Sequence, residues 1–207
     1  MRRLSGALLL AALSPVPGLA ITSPANSTIP HHIVLVAIDQ GQPDAAVGEF
    51  VIVARDFANV PDEDKLIEVR FQNCSGARVA ADQLQASVTS KCATHGITAI
   101  TGLDGSVHMI AVGGGDPHAP HGAGPCAGIY SDGVLLGLVP VAYLDLDGSE
   151  GLGAGDLSVW LSDFVTGEPI GRSDFDGDGS LGALDLSFWL TAWSGGRQTK
   201  SGAPYCP

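Results

Sequence analysis

The sequence predicts a mainly β protein with a small α-helical part near its C-terminal end. Between His32 and Val141, short apolar runs rich in β-branched residues alternate with turn-forming Gly, Pro, Asn and Asp, which is typical of strands. After Tyr143, two acidic, Gly-rich stretches each lead into a segment with apolar residues at i, i+3, i+4 and i+7, which is typical of amphipathic helices. We therefore predict a β domain over 21–142, a loop-and-helix module over 143–197 and a short polar tail over 198–207.

Residues 1–20 have the three regions of a secretory signal peptide. A basic start, Met1-Arg-Arg3, is followed by an apolar stretch over 4–13 and by the small residues of Gly18-Leu-Ala20. The apolar run is too short for a membrane anchor, and no later stretch is long and apolar enough to span a bilayer. We expect cleavage after Ala20 and a secreted, extracellular protein.

Seven apolar runs in the β part predict seven short strands. Ile67, Val69 and Phe71 alternate with polar residues, and Leu103-Asp-Gly105 predicts a hairpin turn. The runs cover residues 33–38, 50–54, 65–71, 96–101, 106–112, 126–130 and 134–136. About seven strands in roughly 110 residues favour an immunoglobulin-like (Ig-like) β-sandwich, with another all-β barrel as the alternative.

The order of three segments adds a resemblance to this prediction. Phe50–Asp56 is followed by Asn59-Val-Pro61 and then by Thr101–Val107. This order of strands and turns resembles bacterial Ig-like domains of the invasin type. The resemblance implies an Ig-like sandwich.

Cys74, Cys92, Cys126 and Cys206 all lie after the signal peptide. An even number of cysteines in an exported chain predicts disulfides, and four cysteines allow three pairings. We expect Cys74–Cys92, which would close a short loop between two strands, and Cys126–Cys206, which would tie the tail to the β part. Zinc is the rival interpretation, but C-x-x-C spacing is absent.

The two acidic stretches are twelve-residue segments, 145–156 and 174–185, that align at a separation of 29 residues. In the second, carboxylates at positions 1, 3, 5 and 12 and glycine at position 6 match the EF-hand calcium loop, except that Asp replaces Glu at position 12. The alignment continues into the following segments, where Leu157, Trp160, Leu161 and Phe164 match Leu186, Trp189, Leu190 and Trp193. We interpret the pattern as an internal duplication that binds two calcium ions.

Calcium takes about six to eight oxygen ligands, and a twelve-residue loop can wrap most of them around one ion. The predicted ligands are Asp145, Asp147, Ser149, the Gly151 carbonyl and Asp156 in the first loop, and Asp174, Asp176, Asp178, the Ser180 carbonyl and Asp185 in the second. The first loop has Ser149 and Glu150 where the second has Asp178 and Gly179. We therefore expect weaker binding in the first loop.

A full EF-hand also has a helix before its loop. Here the preceding segments, Leu138–Leu144 and Gly167–Ser173, predict a strand and a turn. A duplicated loop–helix unit of this kind resembles the dockerin module of cellulosomal and other secreted bacterial proteins. The resemblance covers Tyr143 to about Gly196 and implies folding on calcium and docking to a cohesin-like or cell-surface partner. Positions 10 and 11 of the loops, Ala154-Gly155 and Ala183-Leu184, lack the Ser/Thr pair of that family.

Other functional classes receive less support from the sequence. The net charge of −12 disfavours nucleic acid as a partner. Asp116, His118 and His121 could ligate a metal, but their Gly- and Pro-rich surroundings over 113–124 favour a flexible loop. His31 and His32 are interpreted as surface residues. Neither G-x-S-x-G nor a recognisable carboxylate pair is present.

We therefore predict a secreted, non-catalytic protein in which a dockerin-like calcium module serves attachment. Two alternatives stay open. The chain could be a component of extracellular polysaccharide degradation with an unrecognised activity in its β domain. The calcium module could instead dock on the β domain of its own chain as a structural brace, since no linker separates Tyr143 from Asp145.

Overall fold

A computed structural model describes residues 21–36, 38–39, 42–116, 118–119, 124–167, 170–195 and 205–206. The predicted signal peptide and His121 lie outside the described residues. Over the described residues the protein is mainly β, with two five-stranded sheets and few helices. None of the described helices is long and apolar enough to cross a membrane.

The strands are β1 (Ile33–Val36), β2 (Ile38–Asp39), β3 (Gln42–Pro43), β4 (Glu49–Val53), β5 (Leu66–Arg70), β6 (Ala77–Val79), β7 (Thr89–Lys91), β8 (Gly96–Ile100), β9 (Ser106–Gly115), β10 (Ala127–Ser131), β11 (Val134–Val139) and β12 (Val141–Tyr143). The helices are α1 (Ala45–Gly48), α2 (Ala154–Thr166), α3 (Ile170–Ser173) and α4 (Ala183–Ser194). The first sheet has the order β12-β1-β9-β4, with β6 also paired to β9, and the second has the order β11-β10-β5-β8-β7.

Strand β1 lies inside the first sheet and is parallel to both of its neighbours, β12 and β9. All four of its residues are buried, which is typical of a strand covered on both faces. Side chains of both sheets and of the two long helices belong to one hydrophobic core cluster. In the second sheet, Ile67, Val69 and Phe71 are all buried, as their alternation predicts. Glu68 between them is also buried and forms ion pairs with Arg70 and Lys91.

Two local predictions were wrong because they depended on which strands pair. Leu103–Gly105 does form a turn, closed by the Gly102 N–H to the Ser106 carbonyl at 2.8 Å. The turn is not a hairpin, because β8 belongs to the second sheet and β9 to the first. The flexible loop was predicted over 113–124, but its first three residues are part of a strand. Gly113–Gly115 form the end of β9 and pair with β6.

The chain forms two disulfides, but the predicted pairing is wrong. The bonds are Cys74–Cys126 and Cys92–Cys206. Cys74 follows β5 and Cys126 precedes β10, and these two strands pair with Arg70 opposite Gly128, which brings the two cysteines together. Cys206 reaches the edge of β6, where its N–H donates to the Val79 carbonyl at 2.8 Å. The tail is thus tied to the β part, as expected, through a different cysteine.

Candidate metal centre

Both twelve-residue loops have the same backbone turns. At position 4, Gly148 and Gly177 have φ of 70° and 72°, and at position 6, Glu150 and Gly179 have φ of 66° and 86°. Glycine adopts a positive φ without steric penalty, whereas Glu150 does so with its Cβ crowded against the backbone. The duplication seen in the sequence is therefore also a duplication of conformation. The loops differ at position 6, where the first has a strained non-glycine residue, Glu150.

The first loop brings together the carboxylates of Asp145, Asp147 and Asp156. One oxygen from each lies within 4.8 Å of the others, and Asp145 and Asp156 are fully buried. Backbone N–H groups hold these carboxylates in place: Ser149 and Glu150 donate to Asp145 at 3.1 and 3.0 Å, and Gly153 donates to Asp156 at 2.7 Å. Three of the predicted ligands thus converge on one point.

The second loop repeats this arrangement with Asp174, Asp176 and Asp185, whose oxygens also lie within 4.8 Å of one another. Asp174 accepts the N–H groups of Gly177 at 2.8 Å and Gly179 at 2.9 Å. Asp185 stands in the first turn of α4 and accepts the N–H of Gly182 at 2.7 Å. The position-12 carboxylate therefore fixes the start of the helix as well as facing the other two.

The remaining predicted ligands are not part of these two triads. Asp178 is exposed, and its carboxylate accepts the N–H of Ser180 at 2.8 Å and the hydroxyl of the same residue at 2.7 Å. Ser149 and the carbonyls of Gly151 and Ser180 stay predictions. The structure thus brings together the predicted ligands at positions 1, 3 and 12 of each loop.

Convergence of buried carboxylates has an electrostatic cost that a cation would remove. Burial, with a smaller contribution from the charges of Asp147 and Asp145, raises the pKa of Asp156 to about 7, although two backbone N–H groups act in the opposite direction. Burial also raises the pKa of Asp174. The donors are all oxygens, which suits a hard cation such as calcium and not a soft transition metal. The residues present therefore fit Ca²⁺.

The first loop continues directly from the first sheet. The N–H of Leu144 donates to the Leu35 carbonyl at 3.1 Å, and the N–H of Gly115 donates to the carbonyl of Asp145 at 2.7 Å. The indole of Trp189, which is buried in α4, donates to the Leu144 carbonyl at 3.2 Å. The first loop is thus held by two strands of the sheet and by the second loop's helix.

The second loop lies against the segment that precedes β1. His32 is half-buried, and its Nε2 is 3.0 Å from the carbonyl oxygen of Phe175, whose ring is buried in the core. His31 is exposed, and its Nε2 is 3.4 Å from the Asp176 carbonyl. The interpretation of His32 as a surface residue was therefore wrong: it contacts the loop, and no local pattern in the sequence indicated this contact.

A buried ion pair links the two repeats, and the sequence analysis did not identify it. Arg172 donates through Nε and Nη2 to the carboxylate of Asp163, both at 2.7 Å, and Ser173 donates to the same group at 2.6 Å. Asp163 lies in α2 and Arg172 in α3, the one-turn helix that replaces the predicted turn. The sequence feature that could have indicated this ion pair is Arg172, the only basic residue between Asp145 and Asp185.

The predicted apolar faces of α2 and α4 are only partly buried. Trp160 and Trp189 are in the core, whereas Leu161, Phe164, Leu190 and Trp193 are exposed. Phe164 stacks on Trp160 with ring centroids 5.3 Å apart, and Trp193 lies 6.1 Å from Trp189 in the same way. Each helix therefore presents an aromatic residue at its outer side.

Asp116 and His118 are not brought into a metal-binding group among the described residues. The Asp116 carboxylate instead pairs with Arg78 and accepts the N–H of His118 at 3.0 Å. Comparison of the chain with protein-family models, with curated proteins and with solved structures found no match.

Proposed function

We propose that this is a non-catalytic extracellular protein whose duplicated loops bind two calcium ions, and that the ions brace the loop–helix module against the β part. The observation that carries the proposal is the convergence of three carboxylates at equivalent positions of each loop. With ten Asp and Glu residues over 145–185 against Arg172 alone, the module repels itself without bound cations.

Three contacts favour the brace over a separate attachment module. The Asp145 carbonyl accepts a hydrogen bond from β9, the Leu144 N–H donates one to the Leu35 carbonyl of β1, and the Phe175 carbonyl contacts His32. Both loops therefore meet the β part through backbone atoms of the ligand-bearing segments. Calcium that orders these segments also orders the contacts.

Titration calorimetry of the chain over 21–207, first stripped with chelator, tests the proposal. We expect two binding events for Ca²⁺, and each should raise the free energy of unfolding by about 3 kcal/mol when free calcium is about a hundredfold above the dissociation constant of that site. The near-ultraviolet circular dichroism of Trp189 should strengthen on calcium addition, because its indole bonds to the segment that enters the first loop.

Variants Asp145→Ala and Asp174→Ala should each remove one binding event, whereas Glu63→Ala, an exposed acidic residue outside the loops, should remove none. Two events that persist in all three variants, or absence of calcium binding in the unaltered chain, would refute the proposal.

Attachment to a cohesin-like or cell-surface partner is the second candidate, and the outer side of α2 favours it. Leu161, Phe164 and Val165 are exposed, Val165 at 82%. A helix face of this kind can dock a partner, as the resemblance to dockerins implies. A pull-down from the secretome with and without calcium tests attachment. A partner lost with Val165→Glu but retained with Thr166→Glu would support it.

Two further features belong to the same proposal. The two disulfides fit an extracellular protein, and together with the signal-peptide pattern they support secretion. The two five-stranded sheets with a common core support an Ig-like sandwich in the broad sense, with the parallel strand β1 as a departure. N-terminal sequencing of the exported protein, expected to begin at Ile21, would test secretion.

A further inference from the structure

Tyr205 lies in the tail, next to a disulfide. Its neighbour Cys206 is bonded to Cys92, and the Cys206 N–H donates to the Val79 carbonyl at 2.8 Å. Tyr205 itself forms an isolated antiparallel bridge with Ala80. These contacts fix the position of the tyrosine beside the end of β6.

The hydroxyl of Tyr205 donates to Oδ2 of Asp145 at 2.8 Å. The same oxygen accepts the N–H of Glu150 at 3.0 Å, and Asp145 is fully buried. Asp145 holds position 1 of the first loop. A residue 60 positions along the chain therefore contacts a predicted calcium ligand.

The end of β9 is shaped to admit this contact. A Cβ atom on Gly114 would lie 2.5 Å from the Tyr205 hydroxyl oxygen and 2.6 Å from Oδ2 of Asp145. Any side chain at this position would displace one of the two groups. The glycine, the disulfide and the bridge to Ala80 all converge on the same hydrogen bond.

We propose that Tyr205 is a positioning residue for the first calcium site, and that the Cys92–Cys206 disulfide couples the tail to the calcium affinity of that site. The inference rests on the proposed calcium function. A donor that bonds to one oxygen of a ligating carboxylate fixes the direction of the other, and losing such a partner typically weakens metal binding ten- to a hundredfold. Among the described residues, the equivalent Asp174 accepts only backbone N–H bonds, so a side-chain donor to the position-1 carboxylate is a feature of the first loop.

The test is calcium titration of Tyr205→Phe in an Asp174→Ala background, where the first site remains alone. We expect calcium binding about tenfold weaker than in Asp174→Ala itself. The same substitution in an Asp145→Ala background, which retains the second site, should change nothing. Tyr130→Phe is the matched control, because this ring lies under Arg70 in the second sheet.

Coupling to the disulfide is tested with Cys92→Ala/Cys206→Ala, also in the Asp174→Ala background. Calcium binding should weaken in the same direction, and adding Tyr205→Phe should produce little further loss, because the tyrosine is already displaced. Circular dichroism with calcium shows whether each variant is folded.

If the unaltered chain binds no calcium, the proposed function and the inference both fail. If it binds two ions and Tyr205→Phe leaves the first site unchanged, only the inference fails. A loss of calcium affinity that is equal at both sites would also refute it, because it would indicate general destabilisation.

Discussion

Replacing Glu150 by glycine should strengthen the first loop. Glu150 has φ of 66°, and its N–H must point at Asp145 for the hydrogen bond of 3.0 Å to form. A non-glycine residue in this conformation costs about 1 kcal/mol, which corresponds to about a fivefold change in an equilibrium constant. The second loop avoids this cost, since Gly179 occupies the same position with φ of 86°.

The substitution also removes a negative charge near the ion, which acts in the opposite direction. Glu150→Ala is therefore the reference, because alanine lacks the charge but retains the conformational cost. We expect Glu150→Gly to exceed Glu150→Ala by about fivefold in calcium affinity when the loop relaxes fully without calcium. If the calcium-free loop instead keeps this conformation, glycine raises the free energy of unfolding of the calcium-free protein, and the difference in calcium affinity is smaller.

Both quantities are therefore measured, calcium affinity by calorimetry and the free energy of unfolding by urea titration in chelator. Gly179→Ala in the second loop is the reverse experiment. It should lower the measured quantities by about as much as Glu150→Gly raises them relative to Glu150→Ala. If Glu150→Gly and Glu150→Ala are the same in both measurements, strain at position 6 does not make the first loop weaker.

Three other predictions follow from the fold and the site. Peptide mapping without reduction should recover the two disulfides described above and no free thiol, whereas a Cys74–Cys92 peptide would contradict the pairing of β5 with β10. The pKa of Asp156 is about 7 in the folded chain and near 4 when unfolded, so the calcium-free fold binds an extra proton between these values and loses stability as the pH rises through them. Calcium must displace that proton, and first-site affinity measured by calorimetry should be about tenfold weaker at pH 6 than at pH 8. Asp163→Ala leaves Arg172 without its buried partner and should reduce the free energy of unfolding in urea by about 3–5 kcal/mol, while the exposed neighbour Ser162→Ala should change it little.

The features that could be predicted from the sequence are those encoded within a short stretch. The 29-residue repeat fixes which carboxylates converge, because each loop positions its own carboxylates through its own backbone turns. The alternation of Ile67, Val69 and Phe71 likewise specifies the buried side of β5 without reference to its partners.

The features that were missed depend on contacts between distant residues. Neither the parallel position of β1 nor the bond between Cys92 and Cys206 follows from any local pattern, since both depend on which strands become neighbours. Gly113–Gly115 have the composition of a loop, yet a Cβ at Gly114 or Gly115 would overlap Asp145 or Tyr143, and one at Gly113 would overlap the Arg78 carbonyl. Tertiary packing overrode the local preference at this point.

The boundary predicted between residues 142 and 143 falls inside β12, and this placement connects the proposed calcium site directly to the sheet. Tyr143 and Leu144 are buried, and the chain pairs with β1 up to the residue before the first predicted ligand. Asp145 then contributes its carbonyl to β9 and its carboxylate to the triad. Ordering of the Asp145 carboxylate therefore also orders its backbone, which continues directly from the edge strand β12. Calcium release should accordingly loosen β12 along with the first loop, rather than free an intact module from an unchanged β part.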